Sequence, residues 1–382
     1  MHGKITGFHV GTAGITAVAV LTLAACGSNS SPKATAANTS TAPSSGAGSS
    51  AAAAPASGAT SSGPVSTSAT TGGSAKGGTI YNVVKLAGGG WFNRMETGNK
   101  KWVSMNAGFT VDQKSGSDAS PEKQIAVLSN LIPQKPVAIS VVPNDPQSLQ
   151  AVLKRAHDAG IVIVSQEAAG MKNTDADIEA FQGANYGAHQ MDLLAKCIGS
   201  AGGQYAQFVG ALTVTSHMDW AAGALAQAKA HYPSITRIGD PISSNESEDT
   251  AYEQTKQLLA KYPNIKGILG AASTDVAGAG RAVAEAGKSG SICVVGTSLP
   301  SISGALLKTG AVDEITFWDP ALAGEAMLNA AKMMLGGQKI VTGSNLGVEG
   351  YGNMTQDQSS PTTYYGNAWV DVTSANAAQY PF

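Results

Sequence analysis

From residue 77 to the C-terminus, the chain alternates short runs of β-branched and other apolar residues with longer segments of helical periodicity. The clearest apolar runs are residues 137–142, 161–164 and 292–295. Continuous apolar runs that are separated by helices are typical of parallel strands buried on both faces. These units are too numerous for one small sheet. We therefore predict an α/β fold with two doubly wound parallel-sheet lobes.

The N-terminus has the order of a bacterial lipoprotein signal peptide. Lys4 precedes an apolar run over residues 11–23, and small residues come directly before Cys26. The run is too short to span a bilayer as a permanent helix. We predict that residues 1–25 are the signal peptide, that Cys26 is lipidated, and that the protein is anchored to the outer face of the cell membrane. The alternative is an ordinary secretory signal with a cysteine there by chance.

The segment that follows Cys26 has the composition of a linker. Residues 27–76 are almost all Ser, Ala, Thr and Gly, and their only larger aliphatic residue is Val65. Such a segment cannot bury enough apolar surface to offset its chain entropy. We therefore predict a disordered linker over residues 26–76, with an end-to-end span of roughly 35–42 Å.

Composition excludes several classes of function. The formal net charge is −2 and the basic residues are scattered, so the chain has no electrostatic footprint for nucleic acid. No Cys and His residues have metal-ligand spacing, and we expect no metal, no cofactor and a monomer.

With Cys26 lipidated, Cys197 and Cys293 remain, and one disulfide is arithmetically possible. We favour two buried free thiols over a bridge, because Cys293 lies in an apolar run.

In open α/β sheets, ligands lie beyond the carboxyl ends of the strands, so the residues that follow each apolar run are the candidates. After the first run come Lys85, three glycines and then Trp91 and Phe92. An aromatic face suits the C–H face of a sugar ring, while polar groups take its hydroxyls. The alternative is that both aromatic residues are part of the core and the glycines only form a turn.

The next two runs are followed by polar side chains. Asn144 follows the second run, where it or Asp145 could instead cap the next helix. Gln166 and Glu167 follow the third run, and a carboxylate there is a natural acceptor for a ligand hydroxyl. The alternative for Glu167 is a solvated charge on a loop.

The second half of the chain offers further candidates after its own runs. They are Ser216, His217, Trp220, Thr274, Asp275, Ser298 and Trp318. His217 is as compatible with a surface position as with a ligand contact, and Asp275 is well placed to cap a helix. Trp220 is the better candidate for a wall of the cleft, and Thr274 for a polar contact.

Together these residues resemble a known family. The segments that carry the resemblance are Val84-Lys85-Leu86 with Gly90-Trp91-Phe92, Ile139-Ser140-Val141-Val142 with Pro143-Asn144-Asp145, Phe317-Trp318-Asp319, and the terminal Gln379-Tyr380-Pro381-Phe382. From about Thr79 onward the chain resembles the type I periplasmic sugar-binding proteins of ABC importers. Within their ribose-binding-like class it is most similar to the autoinducer-2-binding and rhamnose-binding branch.

The resemblance implies two lobes that are joined by three chain crossings and close over a ligand. It places the crossings near residues 183–186, 316–320 and 344–348. The N-terminal lobe would comprise residues 77–183 plus 319–345, and the C-terminal lobe residues 184–318 plus 346–382. The resemblance also implies that the closed form delivers the ligand to a membrane permease and that no reaction takes place.

The resemblance leaves more than one ligand possible. The side chains that clamp the sugar in ribose-type members are largely absent, and the autoinducer-2 set is only partly kept, with Lys85 and Glu167. We therefore expect a small neutral sugar or polyol, with autoinducer-2 or a similar furanosyl signal as the alternative. An extracellular glycosidase is a further alternative. It would need two carboxylates across the cleft, for which Glu167 and Asp275 are the available pair.

Overall fold

The structure is a computed structural model that describes residues 77–382. The predicted signal peptide, the lipidated Cys26 and the linker lie outside the described residues. Within residues 77–382, no helix has the length and apolar character needed to cross a membrane.

Helices and strands alternate along most of the described chain, as the apolar runs predicted. In chain order they are β1 (Gly78–Val83), α1 (Gly90–Met105), β2 (Phe109–Lys114), α2 (Pro121–Leu131), β3 (Ala138–Val141), α3 (Pro146–Asp158), β4 (Val162–Ser165), β5 (Ala176–Glu179), α4 (Gly183–Ile198), β6 (Gly203–Val209), α5 (Thr215–His231), β7 (Ile235–Arg237), β8 (Ile242–Ser243), α6 (Glu248–Lys261), β9 (Gly267–Gly270), α7 (Ser273–Glu285), β10 (Cys293–Thr297), α8 (Pro300–Thr309), β11 (Glu314–Trp318), α9 (Pro320–Leu335), β12 (Thr355–Gln356), β13 (Thr363–Tyr365) and β14 (Trp369–Val372).

The strands form two sheets, and each sheet with its helices is called a lobe below. The first sheet has the order β12-β13-β5-β4-β3-β1-β2, and only its β12–β13 pair is antiparallel. The second has the order β14-β11-β10-β9-β6-β7, with β8 beside β6, and only its β11–β14 pair is antiparallel. Strands β3, β9 and β10 are buried along their whole length, as expected for parallel strands covered by helices on both faces. The predicted α/β class with two doubly wound sheets is confirmed.

The chain crosses between the sheets three times. It leaves the first sheet after β5, returns between β11 and α9, and crosses again between β13 and β14. The first two crossings lie close to their predicted positions. The third lies at residues 366–368 instead of 344–348, because β13 pairs with β5 and β12 pairs with β13. Residues 355–365 therefore belong to the first sheet, although we had assigned them to the C-terminal lobe.

The two cysteines of the second lobe form a disulfide. Cys197 in the last turn of α4 is bonded to Cys293 at the start of β10, with their Cα atoms 6.0 Å apart. The prediction of two free thiols is wrong for a tertiary reason: α4 packs directly on β10 and brings together two residues that are 96 positions apart.

Candidate functional site

A cavity lies between the carboxyl ends of the two sheets, where open α/β sheets bind ligands. It is lined by residues from both lobes and from the second crossing: Lys85, Trp91, Phe92, Glu167, His217, Trp220, Glu246, Ala271, Ala272, Ser273, Thr297 and Trp318. Seven of the predicted site residues are in this set, namely Lys85, Trp91, Phe92, Glu167, His217, Trp220 and Trp318.

The cavity is narrow. Its volume is about 40 Å³. Sites for small molecules typically measure roughly 300–1,000 Å³. At about 40 Å³ the cavity is far below that range, so a sugar ring fits only when the lobes move apart from this position.

Aromatic side chains form much of the wall. The ring centroids of Trp91 and Trp318 are 4.6 Å apart in an edge-to-face arrangement, and those of Trp220 and Trp318 are 5.5 Å apart. Trp220 is held by the close crossing of α4 and α5, where a Cβ on Gly187 would lie 1.9 Å from the Trp220 backbone oxygen. Both predicted aromatic residues of α1, Trp91 and Phe92, face this wall and are also buried in the core.

An ion pair crosses the floor of the cavity within the first lobe. The Lys85 ammonium donates to Glu167 Oε2 at 2.6 Å, and both side chains are at most 5% exposed. Burial by itself lowers the pKa of Lys85, but the attraction of Glu167 and Glu246 outweighs it and the pKa is raised. Lys85 is therefore a fixed cation. Glu167 has a left-handed backbone, with φ of 55°, two residues beyond the end of β4.

His217 of the second lobe faces the same carboxylate and is neutral. The backbone N–H of Gly210 donates to His217 Nδ1 at 3.1 Å, which assigns the ring proton to Nε2, and Nε2 lies 3.8 Å from Glu167 Oε2. Burial, with the nearby Lys85 charge, holds the pKa of His217 well below its usual value. The imidazole therefore presents an N–H donor to the cavity and no charge.

Glu246, from the loop between β8 and α6, is the second acid of the cavity. Its Oε1 lies 3.9 Å from Lys85 Nζ and 4.0 Å from His217 Nδ1. Oε1 is buried and has no hydrogen-bond partner, and the same holds for Nε1 of Trp318. Burial raises the pKa of Glu246, with Lys85 opposing this rise. The cavity thus contains one lysine and two acids, and Glu246 was not among the predicted site residues.

Six predicted site residues lie outside the cavity lining. Asn144 supports the loop after β1, since its Nδ2 donates to the Lys85 carbonyl at 3.2 Å. The Ser216 hydroxyl donates to Glu167 Oε2 at 3.3 Å, so Ser216 positions that carboxylate. Gln166 and Thr274 are near the strand ends, with side-chain polar atoms that are buried and without partners.

The other two have structural partners. Asp275 Oδ2 accepts from the backbone N–H groups of Ala271 and Ala272, at 3.1 and 2.8 Å, and so caps α7 as anticipated. Its pKa is raised to about 7, chiefly by burial. The Ser298 hydroxyl donates to the Ser273 carbonyl at 3.0 Å.

Sequence reasoning missed Glu246, Thr297 and residues 271–273 as lining residues. Glu246 had no apolar run before it, because β8 has only two residues, and the loop therefore did not look like the end of a strand. Thr297 is the last residue of β10 and followed a run that we had identified. Its position at the carboxyl end of a strand could have identified it as a candidate site residue.

A metal site is not formed by the described cysteines. Donor atoms of Cys197, Cys293 and Asp313 all lie within 4.8 Å of one another, but the two sulfurs are bonded to each other and supply no thiolate.

Comparison with known proteins assigns the fold to a family. The family model for the periplasmic binding protein domain matches residues 80–339. The chain belongs to this family. Periplasmic binding proteins are extracytoplasmic and bind sugars for ABC transporters, so this chain is a binding protein and not an enzyme. The resemblance predicted from the sequence is confirmed, and the glycosidase alternative is set aside.

Relatives of this periplasmic binding protein differ in the ligands named for them. The D-allose-binding periplasmic protein of Escherichia coli (strain K12) is 24% identical over 258 residues, which cover 63% of this chain and 81% of that protein. LsrB from Clostridium saccharobutylicum, in complex with AI-2, superposes with a TM-score of 0.72 at 19% identity, covering 80% of this chain and all of that one. An ABC transporter solute-binding protein from Clostridium phytofermentas, with bound L-rhamnose, gives a TM-score of 0.73 at 22% identity, covering 80% and 98% of the two chains. At these identities the two structures establish the fold and not the ligand.

Proposed function

We propose that this protein is the lipid-anchored binding component of an ABC importer, and that it captures a small sugar or polyol between its lobes and delivers it to the permease. The observation that carries the proposal is the cavity between the carboxyl ends of both sheets. It combines tryptophan walls, which suit the C–H faces of a sugar ring, with Lys85, Glu167, His217 and Glu246, which suit its hydroxyl groups.

Contacts across the cavity support closure around a ligand. Ser216 and His217 of the second lobe approach Glu167 of the first at 3.3 and 3.8 Å. These polar contacts exist only when the lobes are together. A ligand that bridges both sets stabilises the closed form relative to the open form, which is the requirement for ligand-driven hinge closure.

A furanosyl signal such as autoinducer-2 is the second candidate ligand. One observation favours keeping it: the retention of Lys85 with an acid at Glu167. Both candidates have the same mode of capture and differ in what is captured.

The experiment is to identify the bound molecule directly. Mass spectrometry of small molecules that co-purify with the full chain is followed by thermal unfolding with L-rhamnose, D-allose, a sugar alcohol and autoinducer-2. We expect stabilisation by one of the sugars or the polyol. Stabilisation by autoinducer-2 alone would reverse the order of the two candidates, and stabilisation by none of the four would count against the proposal.

Two variants connect that result to the cavity. Trp91→Ala and Glu167→Ala should each abolish the ligand-induced rise in unfolding temperature, relative to the same variant without ligand. Tyr262→Ala, at the end of α6 and outside the cavity, is the matched control and should keep the full rise. The predicted anchor is tested by replacing Cys26 with Ser, which should release the protein from the membrane fraction into the medium.

A further inference from the structure

Glu246 is held in the cavity by an unusual stretch of backbone. Asn245 and Glu246 are consecutive non-glycine residues in the left-handed region, with φ of 57° and 54°. The Glu246 N–H donates to the Gly210 carbonyl at 3.2 Å, which ties this turn to the end of β6. Asn adopts the left-handed region readily, but it is unfavourable for Glu, and such conformations persist where the surrounding structure imposes them, often at functional sites.

This turn places the Glu246 carboxylate in the cavity, where its Oε1 has no hydrogen-bond donor. Glu246 Oε1 is buried without a partner, and the nearest ring nitrogen, Nδ1 of His217, already accepts from the Gly210 N–H and cannot donate. Lys85 is 3.9 Å away and is committed to Glu167 at 2.6 Å. One ammonium thus faces two carboxylates, and the one from the second lobe is left without a donor.

Glu246 and Lys85 belong to different lobes, so whether Glu246 lacks a hydrogen-bond donor depends on whether the lobes are closed. Lys85 and Glu167 follow strands of the first sheet, whereas Glu246 follows β8 of the second sheet. When the lobes separate, water can hydrogen-bond to the Glu246 carboxylate. When they meet without a ligand, Oε1 loses that water and gains only the Lys85 charge at 3.9 Å, which is beyond hydrogen-bond distance. Empty closure therefore leaves one acceptor atom unsatisfied and carries a desolvation cost.

We propose that Glu246 is the ligand-sensing acid of the second lobe: it disfavours closure of the empty protein and accepts a hydrogen bond from a ligand hydroxyl when the site is filled. This proposal rests on the proposed function. It implies that a ligand must present a hydroxyl or another donor toward the second lobe, in addition to the groups that contact Lys85 and Glu167. An analogue that lacks this donor should therefore bind less tightly.

The test uses the full chain and its own tryptophans. Three of its five tryptophans line the cavity, so acrylamide quenching of their fluorescence reports whether the lobes are apart. For Glu246→Ala we expect less quenching than in the parent without any sugar. We also expect at least roughly tenfold weaker binding of whichever probe binds the parent, among L-rhamnose, D-allose and autoinducer-2. Glu246→Gln, which keeps an acceptor oxygen, should be intermediate.

Glu253→Gln is the matched control, because Glu253 is an exposed acid on the adjacent helix α6. It should leave both readouts unchanged, and circular dichroism should show that every variant is folded. An unchanged quenching of empty Glu246→Ala, or an unchanged dissociation constant, would overturn the proposal. If none of the three probes binds the parent, the ligand assignment fails, and the quenching of the empty protein still decides the role of Glu246.

Discussion

Removing the disulfide between Cys197 and Cys293 should destabilise the protein by several kcal/mol. The bridge links residues that are 96 positions apart. For a loop of that length, the chain-entropy relation gives a loss of unfolded-state entropy of about 16 cal/mol/K, or about 4.7 kcal/mol at 25 °C. Domains are typically stable by only about 5–15 kcal/mol, so this is a large fraction of the total.

The assay is urea unfolding followed by circular dichroism, on the parent with and without reductant and on the Cys197→Ala/Cys293→Ala double variant. Reduction of the parent and the double substitution should lower the free energy of unfolding by similar amounts, about 4–5 kcal/mol. Reductant should have no effect on the double variant. A loss below about 1 kcal/mol in both cases would refute the chain-entropy reasoning, provided that intact mass shows the bridge in the oxidised parent.

Three further predictions are measured by urea unfolding. Lys85→Met should lower the free energy of unfolding by about 3–5 kcal/mol, because it leaves the buried Glu167 carboxylate without its cation. The pKa of Asp275 is raised to about 7, so the protonated side chain contributes stability that is complete below about pH 4 and is lost as pH rises through 7. This loss amounts to at most about 4 kcal/mol in the free energy of unfolding. Asp275→Asn should not show it. Gly187→Ala should lower the free energy of unfolding by about 1–3 kcal/mol or more, because the Cβ of the alanine would lie 1.9 Å from a backbone oxygen of α5.

Each of these has a control at an exposed or open position. Lys154→Met, in an exposed pair with Asp158, should cost less than about 1 kcal/mol. Asp240→Asn should change the free energy of unfolding by less than about 0.5 kcal/mol, because that side chain is fully exposed. Gly304→Ala should stabilise by about 0.5–1 kcal/mol, since its Cβ would meet no atom closer than 4.0 Å. A test variant that behaves like its control would show that the contact invoked for it does not carry the effect.

Much of the candidate site could be predicted because it follows local strand ends. Lys85, Trp91 and Glu167 each follow an apolar run, and in parallel sheets such positions converge at one edge. Asn144 and Ser298 follow runs as well, but their side chains hydrogen-bond to the backbone carbonyls of Lys85 and Ser273. Proximity to a strand end is readable from the sequence, whereas the direction of a side chain depends on its neighbours in space.

The amino-acid sequence by itself determined the class of fold and the edge of the sheets at which a ligand can lie. Both follow from local patterns, because a strand that is covered on two faces must be apolar along its length. Only the tertiary structure decided three other features: the Cys197–Cys293 bridge, the third crossing at residues 366–368, and the unpaired Glu246. Each arises from contacts between segments that are distant in the chain, and no local pattern records which distant segment a residue will meet.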